Sequence, residues 1–112
     1  MRYIMFVIDD SSAVAGSDEM SEIGKFNNEL KDQGHFVMAE GIKSGEQAAI
    51  FDNRGGHTKE TSGSLYDISE NYSGFWIIEV ENDDRARSSA QSASRACNRK
   101  IELPSFLQLT PR

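Results

Sequence analysis

The chain has 112 residues, close to the common size of one domain, with 38% hydrophobic residues, 27% charged residues and only two prolines. That composition excludes disordered and low-complexity chains and leaves a single globular domain of ordinary soluble type. A formal net charge of −6 opposes phosphate backbones and anionic lipid, so neither nucleic acid nor membrane is an expected partner.

Arg2 to Ile8 reads as a first strand, with Tyr3, Met5 and Val7 on one face and Ile4, Phe6 and Ile8 on the other. Both faces are apolar. The polar linker Asp9 to Gly16 leads to Ser17 as an N-cap, with Asp18 and Glu19 in a first helical turn where the dipole favours negative charge. Met20, Ile23, Phe26 or Asn27, and Leu30 then recur at helical spacing, and Gly34 suits the left-handed position that closes the helix. His35 to Ile42 alternates as a second strand, with Phe36, Met38, Glu40 and Ile42 opposed to His35, Val37, Ala39 and Gly41.

After a turn at Lys43, Ser44 and Gly45, the segments Gln47 to Phe51 and His57 to Thr61 form a short polar hairpin around Asp52 to Gly56, whose residue types suit positive φ. Ser62 to Asn71 shows no dominant period and reads as a structured loop. Tyr72 to Val80 is the most apolar strand, placing Tyr72, Gly74, Trp76, Ile78 and Val80 on one face and Ser73, Phe75, Ile77 and Glu79 on the other. Asn82 and Asp83 offer an N-cap to a second helix with a small-residue stripe of Ala86, Ser89, Ala90, Ala93 and Cys97. Lys100 to Leu107 supplies a last strand, which Pro104 assigns to an edge because proline cannot donate to a central ladder.

The order strand, helix, strand, hairpin, strand, helix, strand is a split βαβ pattern, an α+β arrangement of ferredoxin-like type with an inserted hairpin. Its first and third core strands lie in the middle of the sheet, and they are the two strands that are apolar on both faces. Two helices cover only one sheet face. Leaving about four large side chains wet on the other, at about 1.5 to 3 kcal/mol each, forgoes an amount comparable with the whole stability of a domain. A homodimer packed sheet to sheet is therefore expected, the alternative being a monomer that uses the long loop as a lid.

Four stretches carry a resemblance to a known family: Met1 to Met5 (MRYIM), Gly34 to Ile42 (GHFVMAEGI), Ser73 to Val80 (SGFWIIEV) and Ile101 to Leu103 (IEL). The chain resembles the YCII-related superfamily of small dimeric α+β-barrel proteins and, within it, the branch named for a DGPF motif. The resemblance places Glu40 on the family's glutamate. It aligns the signature with Ser62-Gly63-Ser64-Leu65, of which only Gly63 is retained, and two acidic positions with Asp67 and Glu70. Relatives have been proposed as enzymes through a His/Asp pair whose histidine lies on the first helix. The helix from Ser17 to Gln33 has no histidine, so that pair does not carry over.

Glu40, beside Phe36 and Met38, is the first catalytic candidate, because a desolvated carboxylate acts as a general acid or base near neutral pH; its ordinary reading is a strand-end or dimer ion-pair group. Asp67 is the second, paired with Glu70 across one helical turn, against an ordinary role in loop capping. Tyr3, Met38, Ser62, Gly63, Tyr66, Glu70 and Trp76 are candidates to line a small-molecule cleft, although aromatic residues on central strands also serve core and interface. His35 reads as a packing or interface group and His57 as exposed. Arg85, Arg87, Arg95, Arg99 and Lys100 read as a solvated helix face. Cys97, the single cysteine, excludes an internal disulfide and reads as a buried small hydrophobe; no Cys/His cluster has zinc spacing, and no segment reaches membrane-spanning length. No cofactor is expected, and residence is expected to be cytoplasmic.

The leading reading is a homodimeric small-molecule-binding or regulatory domain with a cleft near Glu40 and the 62–71 loop. The alternatives are a cofactor-independent enzyme of proton transfer, with Glu40 as base and Asp67 or Glu70 assisting, and a protein-interaction module.

Overall fold

The structure is a computed structural model and describes residues 1–10, 18–43, 45–56, 58–65 and 70–107. Its elements in chain order are β1 (Arg2–Asp10), α1 (Glu19–Asp32), β2 (Phe36–Gly41), β3 (Ala49–Asp52), β4 (Lys59–Ser62), β5 (Glu70–Glu79), α2 (Asp83–Cys97) and β6 (Lys100–Glu102). Four strands form one antiparallel sheet in the order β2-β5-β1-β6, and β3 and β4 form a separate two-stranded sheet. This is the ferredoxin-like α+β arrangement, with the two doubly apolar strands in the centre and the strand before Pro104 at an edge, as the sequence implies. That edge strand is shorter than expected, and beyond it, among the described residues, a single bridge from Ser105 to Tyr3 extends the pairing. Among the described residues no helix is long and apolar enough to cross a membrane.

Both helices lie on one face. The core joins Tyr3, Met5, Val7, Trp76, Ile78 and Val80 from the sheet to Phe26 and Leu30 of α1 and to Ala86, Ala93 and Cys97 of α2. The small stripe of α2 is buried as expected, with Ser89 included. Gly34, at φ +74°, follows the C-cap residue Gln33. The expected cap Ser17 lies outside the described residues, and Asp18 holds the N-cap position without a side-chain cap hydrogen bond. At α2 the cap is Asn82, whose side chain accepts from the Arg85 N–H at 2.8 Å. Asn82→Ala is expected to cost about 1 kcal/mol in urea-induced unfolding, with little change in slope.

Two β-bulges correct the side-chain phases read from strict alternation. The register of β1 with β5 runs from Val7 opposite Gly74 directly to Ile8 opposite Tyr72, so Ser73 is the extra residue. A one-residue slip moves the following side chains to the other face. Tyr72 therefore does not share a face with Trp76; it stacks on Phe6 with ring centroids 4.4 Å apart. A second shift, between Phe36 and Met38, separates two residues expected on one face. Phe36 opposes Ile78 on the helix side, whereas Met38 opposes Ile77 and Glu40 opposes Phe75 on the other.

The sheet face away from the helices carries Ile4, Phe6, Ile8, Tyr72, Phe75 and Ile77, all only half-buried. The molecule measures 47 × 41 × 18 Å, with a radius of gyration of 16.0 Å. A compact chain of this length has a radius of about 13 Å, so the protein is broad and thin, one sheet and one helical layer deep. Phe51, in the hairpin of β3 and β4, is 72% exposed.

Candidate functional site

A cleft of about 440 Å³ opens between α1 and the helix-side face of the sheet, a volume within the usual range for small-molecule sites. Its floor is Val7 of β1, Gly74 and Trp76 of β5, and Ala39 and Gly41 of β2. Gly74 stands between Val7 and Gly41 in the register. A Cβ there would lie 2.9 Å from the Glu40 carbonyl oxygen, closer than real contacts allow, so the absence of a side chain keeps β2 against β5 and leaves the floor open. Glu19, Met20, Ile23 and Asn27 of α1 form the wall.

Asn27 and Trp76 fix one another. The indole Nε1–H donates to Asn27 Oδ1 at 2.6 Å, and the Trp76 ring meets Phe26 edge-on with centroids 5.2 Å apart. At the mouth, Arg99 bridges two carboxylates: its Nε is 3.0 Å from Asp9 Oδ1 and its Nη1 is 3.0 Å from Glu19 Oε1. The Arg99 side chain is only 12% exposed and Glu19 16%, whereas Asp9 is 44% exposed. Nη1 also donates to the carbonyls of Cys97 and Asn98 at the end of α2. Arg99 is thus not part of a solvated helix face. Cys97 lines the same cleft, and burial pushes its thiol up from the ordinary value, which keeps it un-ionised near neutral pH.

The site residues inferred from sequence are dispersed by this geometry. Trp76 is in the cleft floor. Glu40 borders the cleft along its strand, but its position opposite Phe75 turns the exposed carboxylate, like Met38, toward the open sheet face. Tyr3 is buried in the core and its hydroxyl donates to Asp83 Oδ1 at 3.2 Å; burial foremost, then Asp83, raises its pKa. Ser62 ends β4 in the hairpin, and the Gly63 N–H donates to the Ala48 carbonyl at 2.7 Å, closing the hairpin base away from the cleft. Glu70 receives Lys100 Nζ at 2.8 Å, and that hydrogen bond is the main reason the Lys100 pKa is raised. Tyr66 and Asp67, and likewise His57, lie outside the described residues.

Glu70 and Lys100 border a second hollow of about 360 Å³ on the open face, together with Ile8, Tyr72 and Glu102. There the Tyr72 hydroxyl donates to Glu102 Oε1 at 3.0 Å. His35 is buried, as expected of a packing group, with Nε2 at 3.0 Å from Glu81 Oε1. That hydrogen bond is the leading cause of a lowered Glu81 pKa. Among the described residues no three His, Cys, Asp or Glu side chains converge to hold a metal ion.

Asp9, Glu19, Asn27 and Arg99 were not singled out as site residues in the sequence. Glu19, Ile23 and Asn27 recur every four residues, so one face of α1 carries all three. The pairing of Arg99 with Asp9, 90 positions away, leaves no local signal.

A split βαβ sheet with one helix-covered face, one open face and a cleft under the first helix defines a small α+β domain of ferredoxin-like type. The family model described as YCII-related domain matches residues 1–100, most of the chain, and the chain belongs to that family. No curated protein matches it.

Proposed function

We propose that this YCII-related chain is a homodimeric small-molecule-binding domain that takes its ligand in the cleft between α1 and the sheet. The observation that carries the reading is the cleft itself: an apolar floor opened by Gly74 and Gly41, bounded by a fixed indole-amide pair and a charged mouth. Such a mixture of apolar lining with a few positioned polar groups is how small ligands are held and oriented. The half-buried apolar residues of the opposite sheet face and the thin shape support a second copy packed there.

The test uses the single Trp76, whose indole N–H gives one isolated NMR signal in ¹⁵N-labelled protein. Screening a library of small organic fragments is expected to yield binders that shift this signal, and Ala39→Leu, which fills the floor opposite Trp76, is expected to weaken them at least about tenfold. Binders that leave Trp76 unmoved, or that are indifferent to Ala39→Leu, would refute the cleft as the binding site.

A second reading, proton-transfer catalysis, rests on Glu40. Its carboxylate stands with Met38 and Phe75 on the face that a second copy would cover, where loss of water would suit it to act as a base. This reading requires the dimer, and it separates the acid-base group from the cleft under α1.

A further inference from the structure

The ligand class follows from the polar groups of the cleft, and the argument rests on the binding reading above. Arg99 is the cation at the mouth, yet its guanidinium is already engaged by Asp9, by Glu19 and by two backbone carbonyls. Its Nε and Nη1 are committed, and only Nη2 is left to an anion. Two carboxylates against one guanidinium leave the mouth with a net negative charge. The carbonyl end of α2 adds to it.

Deeper in the cleft the polarity is different. Trp76 can only donate, so the Asn27 side-chain oxygen must face it and the orientation of the amide is settled. The Asn27 NH₂ group is the end left for a ligand, and it requires an acceptor. Glu19 and Asn27 are eight residues apart on one face of α1, about 12 Å along the axis. We infer that the cleft selects an elongated organic cation, an amine at the Asp9–Glu19 end carrying a carbonyl or similar acceptor at the Asn27 end, over the corresponding anion.

Three probes of one skeleton test this: 4-(aminomethyl)benzamide, 4-(hydroxymethyl)benzamide and 4-carbamoylbenzoate, which share the acceptor amide and differ in charge at the other end. Titration of full-length protein at low salt, followed at the Trp76 indole signal, is expected to rank them cation, neutral, anion, with about tenfold or more between the first and last. In 1 M NaCl, where the screening length falls to about 3 Å, the gap is expected to shrink to about threefold or less. Asp9→Asn with Glu19→Gln, if it retains the wild-type circular dichroism, is expected to reverse the order by leaving Arg99 uncompensated. The salt series on unaltered protein decides the matter if that variant does not fold. Equal affinities, or tightest binding of 4-carbamoylbenzoate, would overturn the charge selection while leaving the cleft as a site. Failure of all three probes to shift Trp76 would overturn the selection and count against the cleft itself.

Discussion

Replacing Arg99 with methionine is expected to destabilise the fold by about 3 kcal/mol, the lower end of the 3 to 5 kcal/mol typical when one partner of a buried ion pair is removed. Methionine fills much of the same space, so the loss is electrostatic. Asp9 and Glu19 would face each other without a counter-charge, and the Cys97 and Asn98 carbonyls would lose their donor. The value falls at the lower end because Asp9 is 44% exposed and can turn to water. Against a total stability of about 5 to 15 kcal/mol, the loss is large enough to read from a single urea denaturation curve. Arg99→Lys is expected to recover only part, because one ammonium lacks the planar fork that spans two carboxylates. Adding Asp9→Asn and Glu19→Gln to Arg99→Met is expected to recover most of the loss. A cost below about 1 kcal/mol for Arg99→Met would show that the three groups behave as a screened surface network.

Ile77→Lys is expected to convert the proposed dimer into a folded monomer. Ile77 opposes Ile4 on one side and Met38 on the other, at the middle of the open sheet face. In a free protomer the lysine reaches water along its flexible stem, so secondary structure and unfolding temperature should change little. In a sheet-to-sheet dimer the same group would be buried near its twin across the symmetry axis, like charge against like charge. A central interface residue of this kind is worth at least about 2 kcal/mol, so the dissociation constant should rise by about 30-fold or more. Native mass spectrometry and sedimentation of both proteins at matched concentration give the answer. A wild-type chain that sediments as a monomer at high concentration, or a variant that stays dimeric, would contradict the proposed use of this face.

The architecture was legible because its signals are local. Double-sided apolar strands identified the centre of the sheet, Pro104 its edge, Gly34 the end of α1, and the small residues from Ala86 to Cys97 the close approach of α2. Register was less legible. Bulges at Ser73 and near Val37 depend on how neighbouring strands pair, and nothing in either strand marks them in isolation. They moved Tyr72 to the open face and separated Phe36 from Met38, so that Glu40 keeps Met38 but not Phe36 as a neighbour on its face. The candidate site was the least legible part, since it joins the end of β1, the start of α1 and Arg99, two residues beyond α2. Residue type taken singly favours Glu40 and the 62–71 loop. The pairing of Arg99 with Asp9 and Glu19 exists only once the chain has folded.

The chain contains one tryptophan and one cysteine, and both border the cleft. The Cys97 thiol is almost wholly enclosed, so a thiol reagent can reach it only after α2 lifts from the sheet or the chain unfolds as a whole. Its labelling rate, set against the global unfolding free energy, therefore times how often that side of the cleft breathes, while Trp76 reports on the cleft floor without any engineered label.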